Sequence, residues 1–115
     1  MTMTNPNFMN GVPELLVLRL LAEKEMYGYE LVEAIRTKTS QTISLGEGVV
    51  YPALHALERD GSLRSRRKLV NGRTRVYYRA TVRGEKRLAG LVSQWSQIVR
   101  AITQAIEEVP HAAAL

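Results

Sequence analysis

Apolar residues recur at helical spacing in four stretches of this chain, and each stretch predicts one helix. In the first stretch, residues 15–22 are almost continuously apolar and are interrupted only by Arg19. Pro13 suits the first turn of a helix, where backbone N–H groups have no intrahelical partner. We therefore predict a buried helix over about residues 13–24.

The second stretch predicts a shorter helix that ends in a polar turn. A tight link at residues 26–29 comes first, and Leu31, Val32 and Ile35 then recur at helical spacing up to about Thr39. Residues 40–46 form the turn. Two apolar residues anchor it, Ile43 and Leu45.

The third stretch predicts a short helix with one narrow buried face. Its apolar residues lie four and three positions apart and are Val50, Leu54 and Leu57. Pro52 has no N–H, so we expect it among the first few positions of a helix that begins near Gly48 and ends at Gly61. The opposite face carries Gly48, Pro52, His55 and Arg59, with Tyr51 on its flank. Such a helix suits insertion into a groove.

Asn71-Gly72, between two extended runs, predicts a β-hairpin, because both residues accept the positive φ of a two-residue turn. The tight turn sets the register and places Val70 opposite Arg73. The further partners are then Leu69 with Thr74, Arg67 with Val76, Ser65 with Tyr78 and Leu63 with Ala80.

The two faces of this hairpin differ in chemical character. One face carries the apolar residues Leu63, Leu69, Val76, Tyr78 and Ala80. The other face carries Tyr77 and six cations, which are Arg64, Arg66, Lys68, Arg73, Arg75 and Arg79. Six cations cannot face a hydrophobic core. They face water or phosphate.

The fourth stretch predicts a long helix from Val82 to Glu108, with Thr81 as its N-cap and Glu85 near its positive end. At 1.5 Å per residue it would be about 40 Å long. Its apolar stripe comprises Leu88, Leu91, Trp95, Ile98, Ile102, Ala105 and Val109, widened by Val92, Val99 and Ile106. The three preceding helices are too short to cover this stripe, so we expect a second copy of the chain to cover it.

Length and composition indicate one small domain with two tails. The 115 residues divide into a flexible tail at 1–10, a unit of three helices and a hairpin at 11–80, a long helix at 81–109 and a flexible tail at 110–115. The sequence has no cysteine, which excludes disulfides and thiolate metal sites and is compatible with the cytoplasm, where we expect the protein. We find no signal pattern and no apolar run of membrane length.

Positive charge is concentrated in one block of the sequence. Residues 59–87 hold 11 Lys or Arg against two carboxylates, whereas residues 1–58 hold four cations against seven carboxylates. The net charge of +5 is therefore unevenly distributed. This distribution favours an anionic partner over a purely solvated hairpin, which is the plainer alternative.

Other chemistries are not supported. His55 and His111 are isolated, and no carboxylate or histidine cluster has ligand spacing, so we expect no metal and no cofactor. Gly46 and Gly48 lack the third glycine and the preceding strand of a dinucleotide site. No serine is paired with a base. We therefore expect that the protein is not an enzyme.

Three short helices, a hairpin and a long trailing helix indicate a mainly α winged helix-turn-helix with a dimerisation helix. Five motifs extend this interpretation: Tyr27-Gly28-Tyr29-Glu30-Leu31, Gly48-Val49-Val50-Tyr51-Pro52-Ala53-Leu54, Leu57-Glu58-Arg59-Asp60-Gly61, Asn71-Gly72-Arg73, and Tyr77-Tyr78-Arg79-Ala80-Thr81 with Gly84. In this order, over about residues 12–95, they resemble the PadR family of transcriptional regulators. The single short C-terminal helix resembles the compact branch of that family. Two residues depart from the family pattern, Val49 in place of a small hydroxylated residue and Ser62 in place of an aliphatic one.

The resemblance implies a homodimeric regulator, usually a repressor, that binds a palindromic operator. It places the third helix in the major groove and the hairpin, or wing, near the adjacent backbone or minor groove. It also implies a phosphate contact for Tyr51, whose plainer alternative is a half-buried core tyrosine. The DNA-binding candidates are Gly48, Val49, Tyr51, Pro52, His55, Arg66, Lys68, Arg73 and Arg75. For His55 the alternative is a solvent-facing histidine.

The resemblance also bears on the dimer. The interface is expected at Leu88, Leu91, Trp95, Ile98, Ile102 and Ala105. Trp95 either packs within this seam or lines a slot for a planar aromatic effector, as in family members that hold ligands in a pore between subunits. Two other functions stay open, namely a winged helix that binds protein and a nucleic-acid-binding module without sequence preference.

Overall fold

The computed structural model describes residues 11–108, so the predicted tails at 1–10 and 110–115 lie outside the described residues. Its elements in chain order are helix α1 Val12–Glu23, strand β1 Met26–Tyr27, helix α2 Gly28–Lys38, helix α3 Glu47–Arg59, strand β2 Leu63–Val70, strand β3 Arg73–Ala80 and helix α4 Val82–Glu107. This order confirms the predicted winged helix-turn-helix with a long C-terminal helix. Helices α2 and α3 form the helix-turn-helix, and strands β2 and β3 form the wing.

The core lies where α1 meets the other helices and the base of the wing. Its largest fully buried side chains come from the first three helices and are Val17, Leu18, Leu21, Leu31, Ile35, Val50 and Leu54. Leu45 is also buried, and Ile43 packs against the same cluster, as predicted for the turn after α2. Burial of these aliphatic side chains is the main stabilising contribution in a domain of this size.

The wing has the predicted register, but it belongs to a larger sheet than the sequence predicted. Leu63 pairs with Ala80 and Val70 with Arg73, and Asn71 and Gly72 both have positive φ, of 52° and 77°. The sheet has three strands in the order β1-β3-β2, because Met26 and Tyr27 pair with Tyr78 and Tyr77. A strand of two residues is too short to show a period in the sequence.

The apolar face of the wing is buried only near its base. Leu63, Tyr78 and Ala80 pack into the core there. Towards the turn, Leu69 is 73% exposed and Val76 is 36% exposed, so this end of the hairpin projects beyond the domain. The apolar residues in the outer half of the wing are therefore exposed to other molecules.

Pro52 lies deeper in its helix than we expected. Helix α3 begins at Glu47, so Pro52 occupies the sixth helical position. At that position its missing N–H leaves the carbonyl of Gly48 without the usual intrahelical donor. Helix α3 therefore has an interrupted hydrogen-bond ladder in its first two turns.

Helix α4 leaves the domain after its first turns. The Thr81 side chain caps it by accepting a hydrogen bond from the Gly84 N–H at 3.1 Å, as predicted. Gly84 is the buried residue of this helix, and Leu88 and Leu91 are half-buried against the domain's own core. From Val92 onward nearly every residue is exposed.

The start of α4 is joined tightly to the end of α3. The Thr81 N–H donates to the Ser62 carbonyl at 3.0 Å, and Gly84 lies so close to this carbonyl that a Cβ would clash with it. Arg87 pairs with Glu14 of α1 and, at 3.0 Å, with Asp60 at the end of α3. These contacts fix the direction of α4 relative to α3.

Candidate nucleic-acid interface

The outward face of α3 is exposed and built from small or stiff residues. Gly48, Pro52, His55 and Arg59 all face solvent, and Val49 is 44% exposed. A Cβ placed on Gly48 would have no atom within 4 Å, so packing within the chain does not require glycine there. The absence of a side chain allows another molecule to approach the backbone of α3 closely.

Tyr51 lies on the flank of α3, between the core and the surface. Its ring packs against Gly28, the first residue of α2, a neighbour that we did not predict. Its ring centroid is 6.2 Å from that of His55. Among residues 11–108, no group hydrogen-bonds to the Tyr51 hydroxyl, so this hydroxyl can bind an external acceptor.

One depression of about 610 Å³ joins the start of α3 to the wing. It brings together three of the predicted site residues, Tyr51 from α3 and Arg73 and Arg75 from β3. Its remaining lining residues are Tyr27, Tyr29, Glu47 and Thr74, which we did not predict as part of a site. A hydroxyl and two guanidinium groups around one depression form a suitable site for a phosphate.

The two arginines of this depression, Arg73 and Arg75, differ in how firmly their side chains are held. Arg73 is exposed and follows the turn directly. The Arg75 guanidinium carbon lies 4.2 Å from the centroid of the Tyr27 ring, and its Nε is buried without a hydrogen-bond partner. Arg75 is therefore oriented by a cation–π contact, whereas Arg73 can adjust to a ligand.

Arg66 and Lys68 are held by a carboxylate that we did not include in the site. Arg66 donates from Nε and Nη2 to the two oxygens of Glu25, at 2.9 and 2.6 Å, and Lys68 Nζ lies 3.2 Å from Oε1 of the same residue. Hydrogen bonds from Arg66, and secondarily from Lys68, lower the pKa of Glu25 from 4.5 to about 2. Glu25 is thus ionised at neutral pH.

Aromatic rings complete the outer face of the sheet. Tyr27 and Tyr77 pack edge to face with centroids 5.4 Å apart, and Lys68 Nζ lies 4.5 Å from the Tyr77 centroid. Tyr77 also pairs with Arg66 in the sheet register, so it lies among the cations as predicted. The β1 residue Tyr27 was not predicted to belong to this layer, because its strand could not be recognised.

Helix α4 exposes the apolar stripe that was predicted to form a dimer seam. Trp95 is 46%, Ile98 53% and Ile102 54% exposed, and Ala105 is also exposed. Leu88 and Leu91 differ, because within one chain they pack against its own core. Beside Trp95 lies a hollow of about 580 Å³ with Ser96, Val99, Arg100, Thr103 and Gln104 in its wall.

Residues 11–108 contain no group of three or more His, Cys, Asp or Glu side chains placed to hold a metal ion. None of the helices between Val12 and Glu107 is both long and apolar enough to cross a membrane.

The sequence model of the transcriptional regulator PadR-like family matches residues 17–90. A transcriptional regulator from Mycobacterium tuberculosis is 35% identical over 81 residues, which is 70% of this chain and 73% of the relative. An uncharacterized protein from Lysinibacillus sphaericus is 30% identical over 97 residues, covering 84% of this chain and 89% of that protein.

Two solved structures of transcriptional regulators have a similar fold. A transcriptional regulator from Clostridium thermocellum superposes with a TM-score of 0.80 at 28% identity and covers 89% of this chain and 97% of its own. A PadR family transcriptional regulator from Eggerthella lenta has a TM-score of 0.78 at 27% identity, with 90% and 88% covered. Both of these similar proteins are regulators of transcription.

Proposed function

This chain belongs to the PadR-like family of transcriptional regulators, and from that premise we propose that it is a sequence-specific repressor that binds an inverted-repeat operator as a homodimer. A DNA-binding regulator is what the family implies. The observation that supports our finer proposal most directly is the depression shared by Tyr51, Arg73 and Arg75, beside the exposed face of α3.

In this proposal α3 reads the major groove. Its exposed face can approach base edges because Gly48 has no side chain and Pro52 is compact. Val49 and His55 are the residues on this helix that we assign to base contacts. Changing either residue alters preference among sequences more than it alters overall affinity.

The wing and Tyr51 hold the backbone beside that groove. Tyr51 offers its hydroxyl, and Arg73 and Arg75 offer guanidinium groups, to one phosphate or to two adjacent ones. Arg66 and Lys68 lie farther along β2, where both contact the Glu25 carboxylate and the three groups together add a net positive charge to this surface. Contacts of this kind set the register of a protein on DNA but carry no sequence information directly.

The exposed stripe of α4 supports a homodimer. Beyond its first turns this helix leaves six large apolar residues uncovered, which are Val92, Trp95, Ile98, Val99, Ile102 and Ile106. A second copy of the chain covers them by antiparallel or crossed helix packing and places two α3 helices about 34 Å apart, one turn of duplex DNA. Trp95 then lies near the two-fold axis of a ligand-responsive dimer, in which a planar aromatic effector occupies the hollow beside it.

Binding to matched duplexes tests the proposal. We would compare DNA from this gene's own upstream region with a random duplex of equal length over a range of KCl concentrations. We expect tighter binding to the upstream DNA, a protected inverted repeat, and loss of affinity for the random duplex at lower salt. Equal affinity for both duplexes at every salt concentration would instead support a module without sequence preference, and no binding to either would favour a protein partner.

The dimer is tested separately by sedimentation. Ile98→Glu places a charge in the exposed stripe, and we expect a monomer with weakened operator binding. Gln97→Glu introduces the same charge at an adjacent exposed position outside the stripe and serves as the control. If both variants sediment as the unmodified protein does, the α4 stripe is not the seam.

A further inference from the structure

Glu25 binds two wing cations, Arg66 and Lys68, in the way that a DNA phosphate would. Its two oxygens receive both Arg66 donors in the paired geometry that arginine uses for carboxylates and phosphates alike. Lys68 adds a third contact to the same carboxylate. In the free protein one carboxylate of the chain itself therefore contacts both cations and cancels one of their two positive charges.

The position of Glu25 is set by the sheet. Glu25 lies one residue before β1, and the pairing of Tyr27 with Tyr77 holds β1 against β3. Two residues share a face when they are two positions apart in an extended chain, so Glu25 lies on the same side as Tyr27. Arg66, the register partner of Tyr77, lies on this side too. The carboxylate is thus held by the fold and is not a freely moving surface group.

Other anions near these cations do not share this role. Glu23, at the end of α1, pairs with Arg19 and has no hydrogen bond to a wing cation among residues 11–108. Glu58 accepts from Ser65 on the opposite face of the wing. Glu25 is therefore the carboxylate that faces Arg66 and Lys68 directly.

We infer that Glu25 is a specificity-determining residue that competes with DNA phosphates for Arg66 and Lys68 and so weakens binding to DNA of any sequence. This inference rests on the proposed DNA-binding function and extends it. A cation that stays paired with Glu25 releases no counterion from DNA, so it adds little to sequence-independent affinity. To bind a phosphate through the same donors it must leave Glu25, and the freed carboxylate then repels that phosphate.

The competition between Glu25 and DNA phosphates differs between operator DNA and random DNA. At an operator, the base contacts of α3 hold the protein in one register, in which Arg66 and Lys68 stay on Glu25. On random DNA only backbone contacts are available, and each wing cation that binds a phosphate there must leave Glu25. Glu25 therefore raises the ratio of specific to non-specific affinity, which decides occupancy in a genome with many competing sites.

The test uses the full chain with Glu25→Gln, which keeps the shape and removes the charge, and Glu23→Gln as the matched control. Both variants lose one negative charge at the same end of α1. For Glu25→Gln we expect several-fold tighter binding to a random duplex and a salt slope steeper by about 0.9 for each additional phosphate that the wing neutralises. We expect a smaller increase in affinity for upstream DNA. For Glu23→Gln we expect the salt slope of the unmodified protein.

A double-mutant cycle tests whether Glu25 acts through Arg66, and it stays informative if Glu25→Gln alone alters the stability of the fold. Arg66→Gln should lower the salt slope clearly in the Glu25→Gln background and only slightly in the unmodified protein. Equal slopes for Glu25→Gln and Glu23→Gln would overturn the inference while leaving the proposed function intact, provided that the unmodified protein still prefers upstream DNA. Failure of the unmodified protein to bind any duplex would instead overturn the proposed function.

Discussion

The ring of Tyr51 lies directly against the backbone of Gly28, so closely that a Cβ at residue 28 would overlap the phenol. This contact joins the first residue of α2 to the flank of α3. It fixes where the Tyr51 hydroxyl points, because the ring cannot move inward past α2. A glycine at the start of α2 therefore positions a group on the proposed DNA surface.

Gly28→Ala tests this relationship. The new methyl group forces the Tyr51 ring outward or separates α2 from α3, and we expect unfolding to become easier by about 1–3 kcal/mol, as for other overpacked cores. Operator affinity should fall as well, since the hydroxyl is displaced. Thermal denaturation and DNA titration measure the two effects. Gly48→Ala is the control for stability, because its Cβ meets no atom within 4 Å.

Tyr51→Phe removes the hydroxyl and keeps the ring. Since no described residue hydrogen-bonds to this hydroxyl, we expect an unchanged unfolding temperature. Operator binding should weaken by about 1.5–3 kcal/mol, the usual range for a hydrogen bond to a charged group. Unaltered affinity would show that Tyr51 acts only as a packing residue.

Arg73→Ala and Arg75→Ala separate two kinds of wing cation. Both changes should reduce the salt slope by about 0.9 if each arginine contacts one phosphate. Only Arg75→Ala should also loosen the sheet, because Arg75 is the one of the two that stacks on Tyr27. Hydrogen exchange at residues 26 and 27 would detect this loosening. Identical exchange rates in the two variants would argue against a structural role for Arg75.

The pKa of Glu25 predicts how its contacts respond to acid. Its folded-state pKa of about 2 lies below the ordinary value of 4.5, so the ionised form is favoured in the folded chain. The stabilising contribution is therefore complete above about pH 4.5 and is lost as the pH falls towards 2. We expect the difference in unfolding free energy between the unmodified protein and Glu25→Gln to be constant from pH 7 to 5 and to shrink below that range. A difference that already changes near pH 6 would contradict this assignment.

Trp95 reports on the proposed effector site. Titration with planar aromatic compounds, followed by Trp95 emission, should show saturable quenching, because the ring is the only tryptophan and lies beside a hollow on α4. Operator DNA should weaken this binding if the two sites are coupled, since coupling is reciprocal. Emission that is blue-shifted and indifferent to every compound would mean that Trp95 is packed in the seam.

The sequence pattern was sufficient to predict the helices and the wing, but it could not predict contacts between segments that are distant in the chain. The register followed from Asn71-Gly72 because a two-residue turn fixes which residues lie opposite each other in the hairpin. Strand β1 has two residues, and its existence depends on β3, which lies about 50 residues later in the chain. For the same reason Glu25 could not be assigned to Arg66 from local sequence. Gly28 was noted as part of a motif, but its contact with Tyr51 needed the packing of α2 on α3.

The attachment of α4 to α3 at Ser62, Gly84 and Arg87 has a mechanical consequence for the proposed dimer. Helix α4 has 26 residues and is therefore about 39 Å long, so its base, next to α3, lies roughly 20 Å from its midpoint. If α4 rotates by about 10° about its midpoint, its base moves by about 3.5 Å. This displacement is close to the rise of one base pair along a strand, about 3.4 Å. A stiff joint at the base of α4 transmits this displacement instead of absorbing it. A small rotation between subunits would then shift one proposed recognition helix, α3, by about one base pair relative to the α3 of the other subunit.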